Sequence, residues 1–292
     1  MNASSIIQNP NLRGSLFMVF AMAGFSLQDM LLKRVMEQMP VGQMLILFGT
    51  GGMIVFAILA YRRGEAIFAS GILSPILALR SVCEIAGHVF FFNALALTTL
   101  SSVSAVLQAT PLFVTIGAIL FFKERVGLHR WVAILMGFFG VMLILRPGLG
   151  GFELASLFAV LGTLGFAGRD LGSRATPIAV SNIQLGVYGF LMLIIAGIVA
   201  LSITGSVTIP DERSILHLIT AILIGSLAYN FLSLAMRCGD VSVVAPFRYV
   251  RLVFAMGLGF VVFAERPDNL TLLGGTIIVA SGLYTLSRSN KA

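Results

Sequence analysis

Three side chains that could bind or protonate a small molecule follow one another at intervals of four residues: Arg80, Glu84 and His88. In a helix, that spacing places all three on one face. The residues around them are apolar, and a charged group in such surroundings normally faces a partner or a polar cavity. We therefore expect Glu84 or His88 to contact an ammonium group or to carry a proton in a substrate cavity. An internal Arg80–Glu84 ion pair that only joins helices would explain the same spacing.

A second cluster lies in the stretch PFRYVRLVF, where Arg248 and Arg251 are three residues apart and so share one side of a helix. Arg248, beside Tyr249, is expected to face the cavity and to bind a carboxylate, bidentately where the geometry allows. Arg251 is expected to pair with an acidic residue elsewhere. The alternative for both arginines is that their long side chains reach the lipid headgroups.

The composition indicates which elements must hold these residues. The 292 residues are 58% hydrophobic and 11% charged, with a mean hydropathy of +1.00, whereas a soluble domain has about 25% charged residues. The predicted fold class is therefore an all-α membrane protein, built from helices of about 20 apolar residues. Ten helices are predicted, at 12–33, 42–61, 72–97, 101–122, 131–147, 153–174, 180–203, 214–236, 241–263 and 270–287.

The charges and cysteines exclude several other classes. The net charge of +7 comes from basic residues scattered singly at helix ends, so no nucleic-acid partner is expected. No P-loop, GxGD or GxSG motif occurs, and Cys83 and Cys238 have neither CxxC nor zinc spacing, so we expect no enzyme, no metal and no cofactor. With both termini in the cytoplasm, eleven Lys and Arg lie inside and five outside, which favours that orientation.

One sequence offset relates three separate places in the chain. Asp29 and Asp170 are 141 residues apart. The same offset relates two glutamines, Gln43 and Gln184, and two glutamates, Glu124 and Glu265. A constant offset indicates a duplication, with a first half at 1–149 and a second at 150–292. Each half holds five predicted helices, and because five is odd, the second half is inverted in the membrane. Inverted repeats are typical of secondary transporters that work by alternating access, although duplication without functional benefit is the alternative.

The offset also pairs polar residues near the middle of the predicted helices. His88 corresponds to Tyr229, beside Asn230, and Gln108 corresponds to Tyr249. Such pairs are expected to converge where the two halves meet, which is where a carrier needs its binding site. The alternative is that these residues only form hydrogen bonds between helices.

Further residues suggest moving parts. Asp29 with Lys33, and Asp170 with Arg174, are acid–base pairs four residues apart. They are either simple ion pairs at helix ends or gates at the two mouths of the path. Two prolines inside predicted helices, Pro111 and Pro246, are expected to kink them, and the kinks either act as hinges or only shape the packing.

The two glutamates of the duplication stand in polar turns between helices. Glu124 and Glu265 are expected to cap the helix that follows each of them and to pair locally. A functional role is not assigned to either residue.

The turns FFKERVG and VFAERPD, between the fourth and fifth helices of each half, resemble the pattern of the EamA-type drug/metabolite transporter family, and within it the bacterial amino-acid exporters. The resemblance covers essentially the whole chain. It implies a bacterial inner-membrane carrier of small metabolites, often amino acids and often outward, here expected to be a monomer. Carriers of other metabolites or cationic drugs, and vitamin or nucleoside uptake, are the alternatives. A channel is disfavoured because rings of charge and a filter loop are absent from the sequence.

Overall fold

The computed structural model of the protein describes residues 10–68, 75–123, 128–145, 154–175, 181–238 and 245–289. These residues form eleven α-helices and one 3-10 helix, without a β-strand. In chain order the elements are α1 (Pro10–Met36), α2 (Val41–Arg62), α3 (Pro75–Leu97), α4 (Leu100–Leu107), α5 (Thr110–Phe122), α6 (Leu128–Leu145), α7 (Leu154–Ala175), α8 (Asn182–Thr204), α9 (Glu212–Cys238), the 3-10 helix (Ala245–Tyr249), α10 (Val250–Phe263) and α11 (Asn269–Ser289). The predicted all-α class is confirmed for this part of the chain.

Several of these helices are long and apolar enough to cross a membrane. Within the described residues there are seven such stretches: Leu12–Met36, Val41–Arg62, Pro75–Leu97, Leu100–Phe121, Leu154–Gly172, Asn182–Thr204 and Glu212–Ala235. Two shorter apolar helices cover Leu135–Ile144 and Asn269–Ser281. The protein is therefore a multi-span helical membrane protein, and the number of ten spans remains a prediction.

The closest helix pairs each join the first half of the chain to the second. Helix α1 packs on α9, α3 on α7, α2 on α8 and α6 on α11. The buried apolar side chains from these pairs form one large core cluster and a smaller cluster between α1 and α9. Neither half therefore packs as a separate body, and any central site must lie between helices of both halves.

Small residues allow the backbones of two of these pairs to approach closely. A Cβ atom on Gly42 of α2 would lie 2.4 Å from the backbone nitrogen of Leu201 on α8. On the α3–α7 contact, a Cβ atom on Gly165 would lie 2.5 Å from the backbone of Gly87. In lipid the hydrophobic effect does not drive helices together, so they associate through close packing of this kind.

The two glutamines related by the offset of 141 residues tie both ends of the α2–α8 pair. Gln43, in the first turn of α2, donates to the carbonyl of Thr208 at 2.7 Å and accepts from the Thr208 N–H at 2.8 Å. Gln184, in the first turn of α8, donates to the carbonyl of Ala66 at 2.9 Å and completes a capping box with Ser181. Each glutamine thus binds a loop of the opposite half.

The bundle has two ends, and we name them by residues. The Glu265 end carries residues 37–40, 98–99, 205–211 and 264–268, and the Ser181 end carries 63–68, 123 and 181. On the first of these, Asp211 accepts a hydrogen bond from the Ser214 N–H at 2.9 Å and caps α9. Hydrogen bonds from the side chain and the backbone of Ser214 lower the pKa of the Asp211 carboxyl.

Two predicted helices are not continuous. The predicted helix at 101–122 is divided into α4 and α5 by a turn at residues 108–109. The predicted helix at 241–263 begins, within the described residues, as a 3-10 helix and becomes α-helical at Val250. Pro111 gives the reason for the first break, because proline has no N–H to donate to the carbonyl of Leu107, which accepts from Thr110 Oγ1 at 2.5 Å instead.

Candidate functional site

The first predicted cluster is a charged group on α3 that faces α7. Arg80 and Glu84 are each 3% exposed, and Arg80 Nη1 lies 2.9 Å from Glu84 Oε2. The ion pair named as the alternative is therefore present. Glu84 also approaches the other half of the chain, because Arg169 Nη1 on α7 lies 4.0 Å from Glu84 Oε1. The buried carboxylate thus has an arginine on each side, which holds it in one position.

The charges continue from α7 to the 3-10 helix. Arg169 binds the carboxylate of its neighbour Asp170 through Nη2 at 2.8 Å and through Nε at 3.1 Å. Arg248 Nη1 lies 3.7 Å from the second oxygen of the same carboxylate, and its side chain is 32% exposed. Asp170 therefore has one close arginine partner and one distant partner. Arg248 can turn to another carboxylate without leaving Asp170 unpaired.

Asp29 on α1 is the second buried acid that joins the two halves. Its side chain is 1% exposed and forms an ion pair with Arg251 of α10, which is 222 residues away. Gln28 Nε2 donates to the same carboxylate at 3.3 Å, and Ser26 Oγ donates to the backbone carbonyl of Arg251 at 3.1 Å. The prediction that Arg251 pairs with a distant acid is confirmed.

Asp29 and Asp170, which are related by the sequence offset, have matching partners. Each carboxylate is bound by the side chain that precedes it in the chain and by an arginine from residues 248–251. Both arginines belong to a single short segment of the second half, while the aspartates belong to different halves. This segment therefore interacts electrostatically with both halves of the protein.

The predicted pairing of Asp29 with Lys33 is wrong. Asp29 is bound by an arginine, and Lys33 Nζ donates instead to the carbonyl oxygens of Leu95 and Thr98, at the end of α3. The reason is that the last carbonyl groups of a helix have no partner within it and attract a cation. The other predicted pair cannot be placed, because the side chain of Arg174 lies outside the described residues.

His88 lies in an aromatic environment one turn beyond Glu84. Its ring stacks on Phe92, with centroids 6.3 Å apart, and meets the edge of Phe166 at 5.1 Å. His88 Nδ1 lies 2.8 Å from the backbone carbonyl oxygen of Glu84. Since a carbonyl oxygen only accepts, Nδ1 carries the proton and Nε2 of the neutral ring is left as an acceptor.

Tyr229 and Asn230 lie on α9, and both are partly buried. The Tyr229 ring packs edge-on against Phe56, with centroids 5.4 Å apart, and lies 6.5 Å from Phe190. These aromatic rings come from α2, α8 and α9, and therefore from both halves. Together with the rings around His88 they give the polar groups an apolar surround.

Gln108 and Tyr249, the second pair related by the offset, lie at the two helix discontinuities. Gln108 ends α4, and Tyr249 ends the 3-10 helix. They are 5% and 4% exposed, respectively, and Gln108 Nε2 has no hydrogen-bond partner within the described part of the chain. Broken helices expose polar backbone groups inside the membrane and commonly hold the substrate in transporters.

Both predicted hinge residues start a helical segment. Pro111 is the second residue of α5, and Pro246 is the second residue of the 3-10 helix. Both therefore occupy positions where the missing N–H of proline is tolerated. Their role as hinges stays a prediction.

The prediction that Glu265 caps the helix after it is wrong. Its carboxylate accepts from the backbone N–H groups of Leu100 and Ser101, at the start of α4 in the other half. Asp268 performs the predicted task, because it accepts from the first turn of α11 at 3.0 Å. The start of α4 has unpaired N–H groups and a positive partial charge, which a buried carboxylate satisfies. Glu124 lies outside the described residues.

Arg169, which contacts both Glu84 and Asp170, is not among the residues predicted from the sequence. The signal was present, because a charge inside an apolar stretch is as unusual at Arg169 as at Asp170. The predicted partner of Asp170 is Arg174, four residues further on, and not the adjacent Arg169. The contact between Glu265 and Ser101 was also missed, and it has no local signal because the residues are 164 positions apart.

Comparisons with known proteins find membrane transporters among the relatives of this chain. The S-adenosylmethionine uptake transporter of Rickettsia felis is 28% identical over 215 residues, which cover 73% of this chain and 72% of the relative. The pseudopaline exporter CntI of Pseudomonas aeruginosa is 28% identical and covers 95% of this chain and 97% of its own. The riboflavin transporter of Vibrio cholerae is 35% identical over 178 residues, covering 61% of this chain and 59% of the relative.

A solved crystal structure of another protein has the same fold, with a TM-score of 0.67 at 18% identity, over 96% of this chain and 99% of that chain. The sequence model of the EamA-like transporter family matches twice, at residues 12–146 and 151–287. Buried charges of both halves inside a multi-span helical protein, together with these matches, define a membrane transporter and not an enzyme. The chain belongs to the EamA-like transporter family.

Proposed function

We propose that the protein is a secondary transporter of small metabolites, with amino acids as its main substrates, and that it exports them across the bacterial inner membrane. The observation that carries the proposal is the buried network of acids and arginines between the two halves. An amino acid carries one ammonium and one carboxylate group, and such a network offers an opposite charge to each. Aromatic rings lie beside these charges, such as Phe166 beside Arg169 and Phe25 beside Arg251, and they suit a variable side chain.

The proposed roles follow from the surroundings of each side chain. Glu84 or His88 receives the amino group of the substrate, since Glu84 is a buried carboxylate and His88 has an acceptor nitrogen. Arg248 binds the carboxylate, because it is the most exposed arginine of the network and holds Asp170 only at 3.7 Å. Gln108 and Tyr249 orient the substrate from the two helix discontinuities.

Tyr229 and Asn230 complete the proposed site from α9. Tyr229 supplies an aromatic surface with a polar hydroxyl, and Asn230 supplies an amide one residue further on. Tyr229 corresponds to His88 under the sequence offset, so the two halves contribute equivalent positions. Asp170 and Arg174 are proposed to act near one mouth of the path, with Pro111 and Pro246 as hinges.

The proposed mechanism is alternating access by two inverted halves, at residues 1–149 and 150–292, with ten spans. The pairing of helices from one half with helices of the other supports it, because two similar halves can exchange their conformations across such an interface. With both termini in the cytoplasm, the Glu265 end faces outward and the Ser181 end inward. The transporter is proposed to act as a monomer and without a cofactor.

A second candidate is a carrier of larger metabolites, in either direction. The relatives named above are an S-adenosylmethionine uptake transporter, a pseudopaline exporter and a riboflavin transporter. Their names differ in both solute and direction, which supports small-molecule transport more broadly than it supports amino acids.

Counterflow into liposomes that contain the purified protein tests the proposal. Vesicles preloaded with an unlabelled amino acid are expected to accumulate the labelled amino acid from outside, with flux that saturates. The same vesicles are tested with nucleosides, cationic drugs, riboflavin and S-adenosylmethionine. Counterflow with one of those solutes alone would replace amino acids as the substrate class, and conductive flux without saturation would replace the carrier with a channel.

The coupling to protons is tested by the same vesicles with an imposed pH difference. If Glu84 carries the proton, a pH jump drives uptake by the wild type and fails to drive uptake by Glu84→Gln, while counterflow at equal pH persists. If both proteins respond equally to the pH jump, Glu84 is not the proton carrier.

A further inference from the structure

One face of α4 carries three polar residues that lead from the Glu265 end toward the middle of the bundle. Ser101, Ser104 and Gln108 are spaced by three and four residues, which places them on a single face of the helix. All three are buried, at 2%, 1% and 5% exposure. A buried polar face is unusual in a helix that crosses lipid, because each group needs a hydrogen-bond partner.

The residue nearest the end of the bundle has its partner in the opposite half. Ser101 Oγ donates to Glu265 Oε2 at 2.7 Å, and its backbone N–H donates to the same atom at 3.0 Å. The other carboxylate oxygen accepts from the Leu100 N–H at 2.7 Å. Glu265 is 8% exposed, so one buried carboxylate joins the start of α4 to the end of α10.

On the side of α10, this contact is packed closely against Gly259. A Cβ atom on Gly259 of α10 would lie 2.4 Å from Glu265 Oε2 and 2.8 Å from Ser101 Oγ. Any residue larger than glycine at this position would push the carboxylate away from α4. The absence of a side chain at Gly259 is therefore a condition for the contact.

The next two residues on the same face lack partners. Ser104 Oγ and Gln108 Nε2 are buried without a hydrogen bond in the described part of the chain. A polar atom buried without a partner destabilises the folded protein. A group that stays unpaired in one state of a transporter is expected to find its partner in another state, where water or the solute reaches it.

A cavity of about 300 Å³ reaches the same contact from the surface. Its lining includes Ser101, Val106, Glu265 and the hydroxyl residues Thr98 and Thr271. The cavity lies between both halves at the Glu265 end. Ser104 and Gln108 are not part of its lining, so the cavity reaches the contact but not these two residues.

We propose that the face of α4 formed by Ser101, Ser104 and Gln108 is the part of the translocation path on the Glu265 side, and that Glu265 closes it in this structure. When Glu265 releases the start of α4, Ser104 and the amide of Gln108 bind an oxygen atom of the passing solute, a carboxylate or carbonyl group. This inference rests on the proposed transport function. It adds Ser104 as a binding residue and Glu265 as the residue that closes the path.

Cysteine labelling tests the closure without any solute. Ser104→Cys is introduced into a protein in which Cys83 and Cys238 are replaced by alanine, and the purified protein in nanodiscs is treated with a charged maleimide. Labelling is expected to be slow, and Glu265→Gln is expected to accelerate it about tenfold, because charged hydrogen bonds are replaced by neutral ones.

The matched control is Asp268→Asn, since Asp268 lies in the same loop but caps its own helix, α11. This variant is expected to leave the labelling rate of Ser104→Cys unchanged. Gly259→Ala serves as a second way to displace the carboxylate, and it is expected to accelerate labelling even if Glu265→Gln folds poorly. Fast labelling in the parent protein, or equal rates in all of these variants, would overturn the closure.

Binding by the amide is tested with Gln108→Leu, a change of similar size that removes no hydrogen bond from this structure. Transport is expected to fall about tenfold, while the thermal midpoint stays the same or rises. Unchanged transport would remove Gln108 from the path. Because the labelling experiment needs no substrate, it can fail while liposome counterflow succeeds, so failure of this inference is distinguishable from failure of the proposed function.

Discussion

At the residue scale, the arginines at 248 and 251 differ in what they neutralise. Arg251 is the only cation found within salt-bridge distance of Asp29 in the described residues, whereas Asp170 is bound by both Arg169 and Arg248. A buried carboxylate that loses its single cationic partner is left as an uncompensated charge. Arg251 is thus expected to stabilise the folded protein, and Arg248 is expected to bind the substrate.

Arg251→Leu is therefore expected to destabilise the protein by about 3 kcal/mol, the cost of an unpaired buried charge. The double variant with Asp29→Asn is expected to recover much of that loss, because neither charge then remains. Thermal unfolding in detergent followed by size-exclusion chromatography measures both. Glu37→Gln, at the exposed pair with Arg34, is the control and is expected to change stability by less than about 1 kcal/mol. Equal losses in the single and double variants would contradict the ion pair.

Arg248→Gln is expected to have the opposite profile. The thermal midpoint changes little, because Arg169 still neutralises Asp170 at 2.8 Å. The KM for an amino acid is expected to rise about tenfold, the value of one lost charged contact. The KM for the methyl ester of the same amino acid is the internal control, since it has no carboxylate to lose. A rise of equal size for both solutes would show that Arg248 does not bind the carboxylate.

At the scale of elements, we expect the α2–α8 pair to stay fixed during transport and the α4–α10 contact to open. The first has close backbone contact along its length and a glutamine at each end, Gln43 and Gln184, that binds a loop of the other half. The second depends on Glu265 at its end and contains the helix breaks. A moving contact held by few hydrogen bonds, beside a tightly packed pair, is what alternating access requires.

Gly42→Ala tests the fixed pair, because the new Cβ atom would lie 2.4 Å from a backbone nitrogen on α8. Backbone atoms cannot move aside as a side chain can, so a loss of about 1–3 kcal/mol is expected. Gly257→Ala is the matched control, since a Cβ atom there has nothing within 4 Å. Its midpoint is expected to stay the same. If both variants unfold at the same temperature, α2 and α8 are not in close contact.

The sequence predicted those contacts that arise within one helix or from a repeated pattern. The Arg80–Glu84 pair follows from a spacing of four, and the equivalent positions of Gln43 and Gln184 follow from the constant offset. The break before Pro111 was predicted only as a kink, because the apolar pattern runs on through residues 101–122 and hides the change of helix.

Contacts between segments that are distant in sequence cannot be predicted from residue spacing within one helix. The sequence predicts an ion pair between Asp29 and Lys33 because the two residues are one helical turn apart. The packing of α1 on α10 brings Arg251 closer to Asp29. Glu265 was assigned to the next helix for the same reason, while the start of α4 offers two unpaired N–H groups. In both cases the predicted partner is near in sequence, whereas the observed partner is distant in sequence and near in space.

At the scale of the whole molecule, the orientation of the protein in the membrane is expected to follow from the charges of its loops. Lys and Arg in short loops favour the cytoplasm. Loop 63–68 of the Ser181 end includes Arg63, while loop 205–211 of the Glu265 end has no basic residue. The first loop is therefore expected inside and the second outside.

Cysteines in these two loops test this layout. In protein without Cys83 and Cys238, Ser206→Cys is expected to react with an impermeant maleimide on intact cells, because Ser206 is exposed at the Glu265 end. Arg63→Cys, equally exposed at the Ser181 end, is expected to react only after the cells are permeabilised. This result requires an odd number of membrane crossings between the two loops, and five are expected, because α4 and α5 lie together in one candidate span. Reaction of both cysteines from the same side would mean that α3 to α8 cross the membrane an even number of times, which is incompatible with two inverted halves of five helices.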